Sequence, residues 1–261
     1  MTQIPDYVPG HGLLTGRSVL ITAAAGKGIG FATARRAVEE GARAVMVSDI
    51  HEGRLQQAVA NLQALDTKCE VFGQLCNVTQ EEEVQTLVAC AEDKLGGTDV
   101  LVNNAGLGGL KPVVEMEDDE WARVLDVTLT GTMRMTRAML PHMTQRQGGA
   151  IVNNASVLGW RAQKGQAHYA AAKAGVMALT RCAGLEAAEH GIRINAVSPS
   201  IAMHEFLARS APEEALKALA AQEAFGRAAE VWEVANVIMF LASDYASYMV
   251  GEVVSVSSQH A

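Results

Sequence analysis

Several kinds of residue are scarce in this chain of 261 residues. Aromatic side chains make up 5% of it, and acidic residues outnumber basic ones to give a net charge of −8. This balance argues against a nucleic-acid partner, because phosphate backbones are bound by clustered Lys and Arg. The four cysteines (Cys69, Cys76, Cys90 and Cys182) contain no CxxC pair. We therefore expect reduced core thiols, no disulfide framework and no metal site.

Long apolar runs are also missing. No stretch approaches the roughly 18 residues of a membrane helix, and residues 1–16 lack the basic-then-apolar layout of a signal peptide. We expect no membrane partner and a cytoplasmic location. Hydrophobic residues make up 49% of the chain, and no change in composition divides it. The sequence therefore predicts an N-terminal tail at 1–16 followed by a single domain at 17–261.

Short β-branched runs alternate with longer amphipathic patterns along the whole chain. This alternation predicts an α/β fold with a doubly wound, seven-stranded parallel sheet. The predicted strands are 18–22, 44–48, 70–76, 99–103, 150–154, 193–197 and 252–256. The predicted helices are 28–40, 52–65, 81–95, 118–143, 166–189 and 230–242. An Ala- and Glu-rich segment at about 198–223 interrupts the pattern, and we predict a helical lid there.

A glycine-rich loop runs from Thr22 to Gly30 between the first strand and the first helix. Backbone amides and the helix dipole at such a junction can hold a pyrophosphate, and glycine lets the phosphate approach the main chain. A tight turn without a ligand would look similar. Asp49 favours the binding loop, because a carboxylate about 20 residues further on can accept hydrogen bonds from ribose hydroxyls.

Tyr169 and Lys173 are four residues apart and so share one face of a predicted helix. A nearby ammonium favours the phenolate, which would lower the pKa of Tyr169 towards neutral pH and suit it to acid/base work. A solvated helix face is the usual meaning of such a pair. Ser156, at the end of the fifth predicted strand, favours the catalytic interpretation, because its hydroxyl can meet the same carbonyl oxygen.

The order and spacing of five motifs resemble those of the short-chain dehydrogenase/reductase family. The motifs are the glycine loop, Asn103-Asn104-Ala105-Gly106, Ser156, Tyr169-xxx-Lys173 and Asn195-Ala-Val-Ser-Pro199. The resemblance implies a Rossmann fold, an NAD(P)-dependent exchange between a secondary alcohol and a ketone, and catalysis by Ser156, Tyr169 and Lys173. It also implies that 103–106 lines the adenine side. The residues implied to bind the cofactor are Thr22, Ala24, Gly26, Lys27, Gly28, Ile29, Gly30, Asp49, Ile50, Asn77, Val78, Asn104, Ala105, Gly106, Tyr169, Lys173, Pro199, Ser200 and Ile201.

Some positions depart from the family pattern. Thr128 replaces a catalytic asparagine, and we expect its hydroxyl to hold a water or a backbone carbonyl in part compensation. Ser200 replaces a glycine, His204 replaces a threonine beside the nicotinamide, and Asn77 replaces an aspartate. We expect NAD to be preferred over NADP, since Asp49 repels a 2′-phosphate more than the exposed Lys27 attracts it.

The substrate is constrained only by resemblance. The chain resembles actinobacterial family members of steroid-ring breakdown, which implies an alicyclic hydroxy or keto acyl-CoA as the small-molecule substrate. A 3-oxoacyl-thioester reductase and a non-catalytic dinucleotide-binding sensor are the alternatives. Trp160, Arg161 and Lys164 are either solvated loop residues or substrate contacts. His168 could be a second acid, but it is predicted to point away from the Tyr169/Lys173 face, which favours a structural or substrate-rim role. Family members commonly pair their two long helices, so we also expect a homotetramer.

Overall fold

The computed structural model describes residues 3–65, 68–204, 207 and 213–258. The strands are β1 (Ser18–Ile21), β2 (Ala44–Asp49), β3 (Glu70–Leu75), β4 (Val100–Asn103), β5 (Gly149–Asn154), β6 (Ile192–Pro199), β7 (Ala202–Met203), β8 (Ala229–Glu230) and β9 (Val253–Val256). The helices are α1 (Ile29–Glu39), α2 (Glu52–Gln63), α3 (Glu81–Leu95), α4 (Asp118–Leu125), α5 (Gly131–Arg146), α6 (Ala167–Ala188), α7 (Glu213–Ala221) and α8 (Val231–Ala242).

One parallel sheet organises these elements, with strand order β3-β2-β1-β4-β5-β6-β9. The predicted doubly wound, seven-stranded α/β fold is therefore confirmed. The order reverses between β1 and β4, and such a switch point opens a crevice at the carboxyl ends of the strands. The glycine loop after β1 and the motif after β4 both lie at this crevice.

The core has a hydrophobic layer on each face of the sheet, because alternate residues of a strand point to opposite faces. Val19 and Ile21 of β1 pack on the layer that contains α1 and α8, while Leu20 packs on the layer that contains α3 and α5. β1, β2 and β4 are buried along their whole length. This explains their nearly continuous apolar sequences, which are typical of parallel strands covered on both faces.

Three predictions about the chain's elements need correction. The predicted helix 118–143 is divided by a π-helical turn, Asp126–Thr130, into α4 and α5. The predicted lid at 198–223 begins as the buried end of β6 and contains α7, whereas 205–206 and 208–212 lie outside the described residues. Of the four cysteines only Cys76 is buried, and Cys182 is exposed on α6, so the prediction of core thiols was wrong for Cys182.

The N-terminal tail is bound to the domain through α1. Glu40 accepts hydrogen bonds from the backbone N–H groups of His11 (2.8 Å) and Leu13 (3.0 Å) and forms a buried ion pair with Arg36 at 2.7 Å. Tyr7 packs edge-on against Trp232 of α8. The tail therefore contacts both the C-terminal end of α1 and the N-terminal end of α8. Within the described part of the chain, no helix is both long and apolar enough to cross a membrane.

Candidate active site

Ser156, Tyr169 and Lys173 come together beyond the carboxyl end of β5. Ser156 follows β5 and is buried, and its side chain is hydrogen bonded to that of Tyr169 on the first turn of α6. The Ser156 hydroxyl also accepts the N–H of Leu158 at 3.2 Å, which fixes the turn after the strand. Two hydroxyl groups thus converge at the crevice, as predicted from their positions in the sequence.

Lys173 lies one helical turn after Tyr169 and is 3% exposed. Its ammonium donates a hydrogen bond to the carbonyl of Asn154 and lies 5.6 Å from the centre of the Tyr169 ring. Burial lowers the pKa of Lys173 to about 8. An ammonium whose pKa is close to neutral can exchange protons under physiological conditions.

The pKa of Tyr169 departs from the sequence-based expectation. Burial raises the pKa of this phenol, and the hydrogen bond from Ser156 offsets only part of that effect. We expected Lys173 to lower it. Desolvation of the phenolate is the larger influence within the polypeptide, since a charged oxygen loses its hydration in a buried site.

Thr128 lies in the π-helical turn and is fully buried. Its hydroxyl donates to the carbonyl of Leu107 at 3.1 Å and accepts the N–H of the same residue at 2.9 Å. The prediction that this hydroxyl holds a backbone carbonyl is therefore confirmed. Thr128 fixes the chain directly after the Asn104-Ala105-Gly106 motif, and Gly106 lies between Thr128 and the ammonium of Lys173.

Asn104 joins the glycine loop to the rest of the site. Its amide donates to the carbonyls of Ala23 (3.0 Å) and Thr22 (3.2 Å), while the Thr22 hydroxyl accepts the N–H groups of Asn104 and Ala105. Asn154 completes the link, because its side chain donates to Asn104 at 3.0 Å while its carbonyl accepts from Lys173. The carboxyl ends of β1, β4 and β5 are thereby held in one network. Sequence reasoning did not identify Asn154, although its place beside Ser156 was a usable signal.

Asn103 does not take part in this network. It is buried and donates to Thr136 of α5 and to Asn153 of β5. The side chain of Asn103 therefore faces the helix layer rather than the crevice. That the 103–106 segment lines the adenine side stays a prediction.

The glycine loop has the features that a pyrophosphate requires. A side chain at Gly30 would lie 2.5 Å from both the Ala23 carbonyl and the Asn104 amide, so glycine is obligatory there. Gly26 has a φ of 119°, and no atom lies within 4 Å of where its side chain would project. α1 begins with no capping side chain and no acidic residue in its first turn. Its first amides are thus suited to an anion.

Asp49 lies at the end of β2 and has a partner that the sequence analysis missed. Its carboxylate accepts the N–H groups of Ala25 (3.4 Å) and His51 (3.0 Å) and forms an ion pair with Arg54 of α2 at 3.3 Å. Burial raises the pKa of Asp49. Arg54 lies five residues after Asp49, on the first turn of the following helix, and this separation was the available signal. The residues around the loop therefore fit a dinucleotide.

The other predicted residues differ in their exposure and in their local contacts. His204 lies 3.9 Å from the position that a Gly28 side chain would occupy, close to the glycine loop. Asn77 accepts the N–H and hydroxyl of Thr79, so its side-chain oxygen is engaged locally. Lys27 and Ile50 are exposed, Ala24 and Val78 are buried, and Ile29 and Ile201 are half-buried. Pro199 ends β6, and the N–H of Ser200 donates to Val256 of β9.

Comparisons with known proteins agree with this geometry. The family model described as Enoyl-(Acyl carrier protein) reductase matches residues 23–258. The chain is 61% identical, over 100% of its length and 99% of the relative, to (5R,7aS)-5-hydroxy-7a-methyl-1-oxo-2,3,5,6,7,7a-hexahydro-1H-indene-carboxyl-CoA reductase from Mycobacterium tuberculosis. It is 37% identical to 3-oxoacyl-(acyl-carrier-protein) reductase from Thermotoga maritima, over 93% of this chain and 97% of that protein. A crystal structure of a short chain dehydrogenase from Mycobacterium smegmatis superposes with a TM-score of 0.89 at 58% identity and covers 99% of each chain.

Proposed function

The chain belongs to the short-chain dehydrogenase/reductase family, and we propose that it interconverts a ring hydroxyl and a ring ketone on an alicyclic acyl-CoA. The observation that carries this proposal is the 61% identity, over the full length, to a reductase whose name specifies a bicyclic CoA thioester. The convergence of Ser156, Tyr169 and Lys173 supports the same reaction class. Steroid-derived bicyclic acids are the source of substrate that we favour.

The side chains divide the work at the reacting oxygen. Tyr169 gives a proton to the oxygen in the reduction and takes it back in the oxidation. Ser156, hydrogen bonded to Tyr169, orients the same oxygen. Lys173 has a pKa of about 8 and lies near the Tyr169 ring. It replenishes the proton of Tyr169 and binds the ribose next to the nicotinamide. A bound nicotinamide supplies or accepts the hydride.

NAD is the cofactor that we propose in preference to NADP. The Asp49 carboxylate is placed for ribose hydroxyls and would repel a 2′-phosphate. Arg54 weakens this preference, because its guanidinium lies 3.3 Å from Asp49 and can neutralise part of the charge. The exposed position of Arg54 keeps this compensation incomplete, since solvent screens exposed pairs.

A second candidate is reduction of a straight-chain 3-oxoacyl group on acyl-carrier protein. The 37% identity to the Thermotoga maritima reductase favours it. The two candidates differ in the shape of the acyl group and in its carrier. In the sequence, Trp160 (43% exposed) and the exposed Lys164 lie between Ser156 and Tyr169. We expect them to contact the substrate's carrier if this loop borders the substrate.

A substrate panel separates the candidates. Purified protein is assayed by nicotinamide absorbance with a keto-hexahydroindene carboxyl-CoA, a cyclohexanone carboxyl-CoA, a straight-chain 3-oxoacyl-CoA and the corresponding acyl-carrier-protein thioester. The proposal expects kcat/KM to be highest for the bicyclic CoA thioester, by about tenfold or more over the straight-chain substrates. A preference for the carrier-protein thioester would favour the second candidate instead.

A further inference from the structure

His168 is a buried histidine immediately before Tyr169 on α6. Its side chain is 0% exposed. Within the part of the chain that the structure describes, neither ring nitrogen has a hydrogen-bond partner. An imidazole carries at least one N–H, and a buried donor without an acceptor destabilises the folded state. The proposed mechanism gives this residue no role.

One carboxylate faces the ring. Oε1 of Glu120, on α4, lies 3.9 Å from Nε2 of His168, while Oε2 of the same carboxylate forms an ion pair with Lys111 at 3.0 Å. The His168 ring is less than about 1 Å beyond hydrogen-bonding distance from Glu120. Lys111 and His168 thus each lie near a different oxygen of the same carboxylate.

The backbone of Gly109 passes directly over this gap. A side chain there would lie 2.7 Å from Nε2 of His168 and 3.6 Å from Oε1 of Glu120, so only glycine fits. A movement of Glu120 towards His168 therefore acts on the main chain at Gly109.

Gly109 belongs to the segment Leu107 to Lys111, which forms a wall beside the acid/base pair. Thr128 holds Leu107 at one end, and the N–H of Lys111 donates to the carbonyl of Gly165 at the other. Between these ends, a side chain at Gly108 would lie 3.6 Å from the Tyr169 ring. The segment thus lies close to Tyr169 on one side of Gly109 and is tied to α4 by the Lys111–Glu120 ion pair on the other.

We propose that His168 is a positioning residue, and that its protonation draws Glu120 towards it and shifts the Leu107 to Lys111 segment against Tyr169. This inference rests on the proposed function, because it assigns a consequence to the placement of Tyr169. Neutral His168 carries no charge that would draw Glu120 away from Lys111. Protonated His168 is a cation with an N–H at both ring nitrogens, so it attracts Oε1 of Glu120, and the carboxylate is then shared between two cations.

Within the described residues, charged and titratable groups lie near His168 on α4, on the segment that covers it and on α6 itself. Glu120 faces it from α4, Lys111 from the segment that covers it, and Tyr169 adjoins it on α6. Glu120 is ion-paired with Lys111 and also faces the His168 ring. Removing the charge of Glu120 or the imidazole of His168 should therefore have the same effect on the pH dependence of turnover.

The first test compares pH profiles of kcat and kcat/KM for wild type, His168→Gln and Glu120→Gln. The wild type should show a change of about three- to tenfold across an ionisation that both variants lack, which is the factor that one hydrogen bond contributes. His142→Gln is the matched control, since His142 also faces a carboxylate (Glu92, 3.7 Å) but lies on the surface of α5. Its profile should match that of wild type.

The second test needs no substrate. In histidine- and glycine-labelled wild-type protein, NMR follows the His168 ring and the Gly109 amide as pH is lowered, and His168→Gln assigns the ring signal. The inference expects both signals to shift with one midpoint. It is overturned if the Gly109 amide does not follow His168, or if the pH profiles of His168→Gln and Glu120→Gln equal that of wild type. A shared titration in protein that turns over no ketone would contradict the proposed function and leave the coupling intact.

Discussion

Lys173 occupies a place where its charge opposes folding. The side chain is 3% exposed, and burial lowers its pKa from 10.5 to about 8. The folded chain therefore binds fewer protons than the unfolded chain between these two values, and stability rises as pH increases through that window. Retention of a buried cation at a cost in stability is typical of a group that acts in chemistry.

Replacing Lys173 with Met should stabilise the protein while removing turnover. At about pH 7 we expect the free energy of unfolding to rise by about 1–3 kcal/mol, the cost of burying the cation less the hydrogen bond to Asn154. Urea denaturation at about pH 7 and about pH 9.5 measures this, and the gain should shrink at the higher pH. A Lys173→Met variant no more stable than wild type at about pH 7 would show that the charge is well accommodated.

Asp49 and Arg54 make opposing contributions to the choice of cofactor. We expect kcat/KM with NADH to exceed that with NADPH by about tenfold or more in wild type, because the 2′-phosphate approaches the Asp49 carboxylate. Asp49→Ala should reduce the ratio, whereas Arg54→Ala should increase it by removing a cation that can meet the phosphate. Initial rates at physiological salt test both variants. A wild-type preference for NADPH would make the proposed cofactor wrong.

At the scale of elements, the π-helical turn between α4 and α5 places Thr128 against Leu107. π-helical turns often occur at functional sites, and this one aims a hydroxyl at the chain that leaves the Asn104-Ala105-Gly106 motif. The position of Leu107, at the start of the segment beside Tyr169, therefore depends on where α4 and α5 hold this turn.

Two substitutions at Thr128 separate the hydroxyl from the shape of the side chain. Thr128→Val leaves both polar groups of Leu107 without their buried partner, and we expect turnover to fall about tenfold or more. Thr128→Asn can still donate and accept, so it should keep or exceed wild-type turnover. Initial rates and thermal melts of both variants check this. A loss beyond about tenfold in Thr128→Asn would show that the amide does not replace the hydroxyl.

The periodicity of the sequence was sufficient to predict the helices and strands but not the irregularities within them. β1 and α3 were predicted closely, because a buried apolar run and a 3.6-residue pattern are local signals. The π-helical turn was missed, since one inserted residue hardly changes apolar spacing along Asp126–Thr130. The Glu120 and His168 contact joins residues 48 positions apart and depends on how α4 packs on α6, which no local pattern encodes.

Across the surface of the fold, α5 and α6 leave an open groove of about 460 Å³ between them. Its lining combines apolar residues such as Leu140, Leu179 and Ala183 with Arg137, Glu186 and His190. Nearby on α6, Leu185 is 73% exposed. Apolar side chains on paired helices are suited to packing across a two-fold axis, which supports the predicted homotetramer.

Light scattering at micromolar concentration tests the assembly. We expect the mass of four chains for wild type and a smaller assembly for Leu185→Lys, because a charge buried in a helix interface without a partner is costly. Circular dichroism should show that the variant remains folded. A wild-type mass of one chain would contradict the tetramer.

The proposed role of Tyr169 is to exchange the proton with a ring oxygen of an acyl-CoA. The most direct measurement compares turnover of a keto-hexahydroindene carboxyl-CoA, and NADH binding by fluorescence, in wild type and Tyr169→Phe. Tyr7→Phe is the matched control, since it removes a phenol hydroxyl of the N-terminal tail that is hydrogen bonded to Glu39 of α1. We expect Tyr169→Phe to keep less than about a tenth of wild-type turnover with nearly unchanged NADH binding, and Tyr7→Phe to turn over as wild type does. Turnover above about a tenth in Tyr169→Phe would contradict the proposed role.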